Sequence, residues 1–153
     1  MRILPLWLHL LAAVVWLGGL LFESHILFPL LSKKGLTETV GSAISRFRRV
    51  TWTAIVLMVL TGLYNLTRLP PIPHLIESGV LKLLALKLFL VLIVLMLSAH
   101  RDFGLASRLL REVAAGRAPD RMLSAILRVD RVVLLLGVLL LYLGLAISRG
   151  GIS

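Results

Sequence analysis

Cysteine is absent from this chain of 153 residues, and acidic residues are scarce. Without cysteine the protein can form no disulfide, no thiolate metal site and no cysteine nucleophile. Only 7 Asp and Glu residues oppose 17 Lys and Arg residues, which gives a net charge of +10. The sequence also has no H-E-x-x-H element, no phosphate-binding glycine loop and no spacing typical of a Ser-His-Asp triad. Motifs of hydrolytic and nucleotide-binding enzymes are therefore missing.

Apolar residues make up most of the chain. Hydrophobic side chains account for 59% of the sequence, and the mean hydropathy is +0.99. A soluble domain of this length has too little interior to hide so much apolar surface. The composition therefore predicts an integral membrane protein. Residues 1–153 are enough for one compact helical bundle, which we expect to be a single domain.

Four apolar segments are long enough, or nearly long enough, to cross a bilayer. They lie at about residues 3–31, 50–69, 80–99 and 132–147. A hydrocarbon core of about 30 Å needs ~20 helical residues, and a backbone in lipid must satisfy its own hydrogen bonds. The prediction is an all-α protein, a four-helix transmembrane bundle. A signal peptide is the alternative for the first segment, but its apolar run is too long and no small-x-small cleavage site follows it.

The basic residues are concentrated in two of the three connections between these segments. In the first connection they are Lys33, Lys34, Arg46, Arg48 and Arg49, and in the third they are Arg101, Arg108, Arg111, Arg117, Arg121, Arg128 and Arg131. Because positive loops stay in the cytoplasm, both termini are predicted to lie outside, in a multi-pass protein of the cytoplasmic (inner) membrane. The cations flank apolar segments, so we expect contact with anionic headgroups of the lipid bilayer and no nucleic-acid partner.

The third connection is predicted to be helical rather than an open loop. Leu105, Leu109 and Val113 recur at helical spacing, which extends the third helix beyond the membrane on the cytoplasmic side. Gly116 would end this extension, and Pro119 would open a matching extension of the fourth helix.

Histidines within apolar segments are the leading candidates for a functional site, because an imidazole in a bilayer needs a partner, a metal or the membrane edge. At ~1.5 Å per residue, His9 lies about 9 Å from the outer start of the first segment, and Lys87 lies about 10 Å from the outer start of the third. Thr61, near the outer end of the second segment, joins this outer layer. His74, in the second connection, can fold over it.

His25 and His100 define a second layer near the cytoplasmic face, about 33 and 30 Å along their segments by the same helical rise. Glu23 and Arg101 lie beside them in the sequence. His9 and His25 are about 24 Å apart along the helix axis and point to nearly opposite sides, so one metal cannot bind both. The simpler alternatives for each histidine are a hydrogen bond to a neighbouring helix and contact with water at the membrane edge.

Histidines at equal depth on different helices suit the axial ligation of haem b, which also needs apolar walls and cations for its propionates. The candidate iron ligands are His9, His25, His74 and His100, and the candidate propionate partners are Lys82, Lys87 and Arg101. One or two haems would make the protein an electron carrier of the membrane, with a quinone or another small redox carrier as its partner.

Copper transport is the alternative function. Cu(I) prefers thiolate and thioether ligands, and this chain has no cysteine and only four methionines. Met58 and Met96 lie near mid-membrane by their numbering, where they can act with the histidines as transient ligands. A purely structural membrane subunit, alone or in a homo-oligomer, is a further alternative.

Three stretches of the chain resemble the membrane domains of copper-resistance protein D (CopD). The first contains His9, the turn Trp16-Leu17-Gly18-Gly19 and the later Pro29. The others are Arg46-Phe47-Arg48-Arg49-Val50-Thr51-Trp52 with Thr61-Gly62-Leu63, and Ser78-Gly79-Val80-Leu81-Lys82 running on to Lys87. The resemblance implies a helical membrane fold and copper transport.

The same scaffold is similar to HemJ, the membrane protoporphyrinogen oxidase family. His9, Trp16, Lys87 and His100 match its first-helix histidine with a following tryptophan, and its third-helix lysine with a following histidine. This likeness implies haem b and an oxidoreductase activity. HemJ proteins have a Pro-Arg pair shortly after the tryptophan, where this chain has Phe22-Glu23-Ser24-His25.

Overall fold

The computed structural model describes residues 3–30, 38–69, 71–77, 79–116 and 120–148, and these residues contain helices and no strand. The α-helices are α1 (Ile3–Phe22), α2 (Glu38–Leu66), α3 (Ile72–Glu77), α4 (Val80–Ala99), α5 (Ala106–Ala114) and α6 (Asp120–Ser148). Two π-helical segments interrupt the series, Glu23–Leu27 after α1 and His100–Leu105 between α4 and α5.

Four stretches are long and apolar enough to cross a membrane. They are Ile3–Leu30, Ser42–Leu66, Val80–Ala114 and Arg121–Ser148. The predicted all-α class and the four spans are confirmed, and the chain is a multi-pass membrane protein. Its orientation in the membrane stays a prediction.

The helices extend well beyond the predicted apolar segments. The third span continues through the second π-helical segment and α5 to Gly116, whose φ of +71° suits a residue without a side chain. α6 begins at Asp120, about three turns before its apolar stretch. The predicted extensions of the third and fourth helices beyond their apolar segments are confirmed, because an amphipathic helix continues where only one face is buried. Lys33, Lys34, Arg117 and Pro119, which entered the prediction of topology, lie outside the described residues.

The four spans pack mainly as two antiparallel pairs, α1 with α2 and α4 with α6. We call the end where α1 and α4 begin the upper end, and the opposite end the lower end. The two pairs meet where α1 crosses α6. There the position of a Cβ on Gly137 would lie only 2.7 Å from Leu17 Cδ2 and 3.2 Å from the Trp16 ring. A small residue therefore allows the two helices to approach closely.

Two apolar clusters form the interior. The cluster nearer the upper end contains Trp16, Leu20, Ala54, Ile55, Val94 and Val133. The cluster at the lower end contains Leu27, Phe28, Ile44, Ala106, Leu109, Leu123 and Ile126. Along the first, third and fourth spans a gap separates the two clusters, and charged residues fill this gap.

The outer surface is apolar, as lipid requires. Along α4, Leu86, Phe89, Leu92 and Met96 are between 46% and 73% exposed. A soluble monomer rarely exposes so continuous an apolar surface. These side chains face the acyl chains of the bilayer.

Candidate functional site

His9 is held between α1 and α2 near the upper end of the bundle. The ring is half-buried, and its Nδ1 lies 2.9 Å from the Met58 carbonyl oxygen and 3.1 Å from Thr61 Oγ1. The Thr61 hydroxyl itself donates to the Leu57 carbonyl at 2.7 Å. Since a carbonyl only accepts, Nδ1 carries a ring proton, and in the neutral imidazole Nε2 then has the lone pair.

Gly62 provides the space for this ring. A Cβ at position 62 would lie 3.3 Å from His9 Cε1, closer than ordinary van der Waals contact. The sequence pair Thr61-Gly62 therefore supplies both a polar partner and a gap at the same level of α2. This fixes the orientation of the imidazole, as backbone hydrogen bonds do for histidines that bind metals.

Lys87 joins His9 at the upper end. It is half-buried, it interacts electrostatically with the His9 ring, and its Nζ lies 3.1 Å from the position of a Cβ on Gly144. The structure thus brings together the histidine, threonine and lysine that the helical rise assigns to one level. We call His9, Thr61 and Lys87 the upper polar site.

The other residues proposed for the upper level lie at the surface. His74 on α3 and Lys82 in the first turn of α4 are exposed.

The two methionines that were predicted near mid-membrane lie apart. Met96 is 73% exposed, whereas Met58 packs against the upper apolar cluster. A pair of methionine thioethers inside the bundle is therefore not formed by these two residues.

The histidines of the lower layer point outward. His25 is exposed, and its Nδ1 lies 3.1 Å from the Leu21 carbonyl oxygen and 2.9 Å from Ser24 Oγ, both on its own helix. His100 is exposed as well, and its ring lies against Gly104 of the same π-helical segment. Their role as ligands stays a prediction.

A buried ionic cluster occupies the lower layer instead. Arg101, only 2% exposed, binds Glu23 from the first span through its Nη2. Its Nη1 donates to Asp102 Oδ1 at 2.7 Å, and its Nε lies 2.6 Å from Asp130 Oδ1 on α6. The Trp52 indole of α2 donates to Asp102 Oδ2 at 2.9 Å. The Arg101 guanidinium, which the sequence prediction assigned to a haem propionate, therefore joins the first, third and fourth spans, and α2 is linked to it through Asp102.

The two π-helical segments coincide with this cluster. Glu23 begins the first, and Arg101 and Asp102 are the second and third residues of the other. A π-helical turn is wider than an α-helical turn and is frequent at functional sites. In both segments two successive side chains are buried, Glu23 with Ser24 and Arg101 with Asp102. The wider turn thus places adjacent polar residues on the interior side.

Replacing Trp52 with phenylalanine tests the link between α2 and the cluster. The aromatic packing against Phe103, with ring centroids 5.3 Å apart, is kept, while Asp102 Oδ2 loses its indole donor. We expect destabilisation of about 1.5 kcal/mol, near the lower end for a hydrogen bond to a charged group, because the indole is half exposed. Thermal unfolding in detergent measures the loss. An unchanged midpoint would mean that lipid or water replaces the indole at no cost.

Neither the ionic cluster nor the surface grooves of the described residues have the ligands that a metal or a haem needs. Among the described residues, no group of three or more His, Cys, Asp or Glu side chains is arranged to hold a metal ion. An apolar groove of about 330 Å³ opens between α1 and α2, another of about 440 Å³ opens on the surface of α2, and no histidine of the described ranges lines either.

A family model for copper resistance protein D (CopD) matches residues 41–147. The chain belongs to the CopD family. The match runs from α2 to the end of α6, so it includes Lys87, Arg101 and Asp130. It does not include the first span, which carries His9 on α1 and Glu23 in the π-helical segment after it. No curated protein and no solved structure gives a significant match.

Proposed function

We propose that this CopD-family protein transports copper ions, and that His9 is the side chain that binds the ion at the upper end of the bundle. The family match supports copper as the cargo. The single observation that supports His9 is the hydrogen bond from its Nδ1 to the Met58 carbonyl at 2.9 Å. This hydrogen bond leaves the lone pair of Nε2 available in a fixed direction. An imidazole nitrogen is a suitable ligand for copper.

Lys87 gives this site the low affinity that transport needs. Its ammonium group disfavours a second cation near His9. A transported ion must bind strongly enough to enter but weakly enough to leave. The upper polar site therefore suits brief contact with copper rather than permanent storage.

The same lysine favours the second candidate, a b-type haem protein. A half-buried cation beside an oriented imidazole is the pairing that a haem needs for a propionate and an axial ligand. When bound, a haem would supply one-electron chemistry; His9 would hold its iron, and Lys87 would hold a propionate. The grooves described above do not adjoin His9, so the copper function has the stronger support.

Replacing His9 with alanine is expected to remove copper binding at the upper site. We expect a loss of affinity for Cu(I) of at least ~10-fold, the scale found when a metal site loses a ligand or its support. A competition titration with a Cu(I) chelator, on purified protein under reducing conditions, measures the affinity. Copper uptake into proteoliposomes measures transport. The matched controls His25→Ala and His100→Ala, both at exposed positions, should retain wild-type values.

The absorbance spectrum of the same preparation distinguishes the two candidates. Colourless protein that takes up copper, with uptake lost in the His9→Ala variant, supports the proposal. A Soret band that shifts on reduction with dithionite would favour haem. Full copper uptake by the His9→Ala variant would exclude His9 as the ligand, and wild-type protein that neither binds copper nor absorbs in the Soret region would exclude both candidates.

A further inference from the structure

The ionic cluster between the two apolar clusters contains more acidic than basic groups. Glu23, Asp102 and Asp130 surround Arg101, and Arg48 of α2 acts on Glu23 from the edge of the cluster. Two guanidinium groups thus face three carboxyl groups inside a membrane-spanning bundle, where an uncompensated charge is costly. One bound proton makes the set neutral.

The hydrogen bonds indicate which carboxyl group carries that proton. Both oxygens of Asp102 accept hydrogen bonds, one from Arg101 and one from Trp52. Glu23 accepts one from Arg101. Asp130 is 0% exposed, and neither of its carboxyl oxygens accepts a hydrogen bond from the described residues, although Arg101 Nε lies close to one of them.

We propose that the cluster is a proton-binding site and that Asp130 holds an exchangeable proton in the folded protein. Asp130 is the most buried and least hydrogen-bonded of the three carboxyl groups, so it gains most from losing its charge. A protonated carboxyl group is also a donor. Intramembrane carboxyl groups held in this way are typical of proton relays in pumps and transporters.

The contacts of the ionic cluster can change when the spans move relative to one another. Its buried charged groups come from three spans, and two of these spans are π-helical at the contact, where the backbone departs from the regular α-helical hydrogen-bond pattern. A shift of the Arg101 guanidinium towards Asp130 would favour release of the proton, and a shift towards Glu23 would favour its uptake. The site would bind a proton whether or not copper is the cargo, so its test needs no copper.

Infrared spectroscopy of the protein in lipid nanodiscs at neutral pH tests the proposal. We expect the carbonyl stretch of one protonated carboxylic acid per chain, and a shift of this band when the buffer is changed to D₂O. The band should be absent from Asp130→Asn and shifted in Asp130→Glu. The control Glu112→Gln, on α5, should leave it unchanged.

Isotope labelling makes the test independent of how well these variants fold. In wild-type protein with ¹³C-labelled aspartate the band should shift, and with ¹³C-labelled glutamate it should stay in place. Absence of the band in folded wild-type protein would overturn the proposal. So would a band that persists unchanged in Asp130→Asn, or one that moves with labelled glutamate.

Discussion

Replacing Arg101 with alanine is expected to leave little folded protein. The substitution leaves Glu23, Asp102 and Asp130 in the interior without the cation that contacts all three. Removing one partner of a buried ion pair costs about 3–5 kcal/mol, and the total stability of a domain is on the order of 5–15 kcal/mol. The cavity left by the long side chain adds to this cost. We expect a strongly lowered unfolding midpoint in detergent and a low yield of monodisperse protein.

Two further variants show whether the lost charge or the lost side-chain volume is responsible for the lower stability. Arg101→Lys keeps the charge but cannot contact three carboxyl groups at once with its single ammonium group, so part of the stability should return. Arg108→Ala removes an exposed arginine of the third span and should have little effect. Wild-type stability of Arg101→Ala would show that the cluster does not hold the four spans together.

Replacing Gly137 with valine should produce the second-largest loss of stability. Gly137 is buried, and a β-carbon there would lie 2.7 Å from Leu17 Cδ2 and 3.2 Å from the Trp16 ring. Leu17 can rotate away, but Trp16 is 3% exposed and packed in the upper apolar cluster. The larger side chain therefore forces α1 and α6 apart, at a cost of about 3 kcal/mol, the upper range for overpacking.

Gly18→Val is the matched control for this substitution. Gly18 is exposed on α1, and no atom outside its own helix backbone lies within 4 Å of the position of its Cβ. The difference in helix propensity between valine and glycine is small compared with the loss of stability expected at Gly137. Equal unfolding midpoints for the two variants would show that α1 and α6 do not depend on the small residue for their contact.

The helical fold and the upper polar site follow from simple features of the sequence. Apolar length predicts the four spans, and the rise per residue places His9 and Lys87 at one level of two helices that run in the same direction. Helical rotation also predicts that His9 and His25 face opposite sides, in agreement with the half-buried and exposed positions of the two rings. These properties depend on local helix geometry alone, which is why the sequence is sufficient to predict them.

The ionic cluster was not predicted because three of its four members, Arg101, Asp102 and Asp130, were assigned to the third connection. The predicted third segment ended at residue 99 and the fourth began at residue 132, so Asp102 and Asp130 fell in the cytoplasmic connection, and Arg101 was assigned to a haem propionate. The structure places all three inside the helical bundle. A useful signal was available, since the chain has only seven acidic residues and each one near an apolar segment needs a partner. The pairing itself depends on contacts between distant segments, which periodicity does not reveal.

The π-helical segments have a consequence for how related chains are aligned. A π-helical turn accommodates one inserted residue, so deleting a single residue within His100–Leu105 would restore regular α-helix while the residues after it keep their facing. Leu109, which is fully buried on α5, would stay in the interior, and only the wider turn that places Arg101 and Asp102 side by side would be lost. Chains of this family without an equivalent of the Arg101 cluster should accordingly show a one-residue gap in the middle of an otherwise continuous hydrophobic helix. Such a gap would be a structural marker rather than an alignment error.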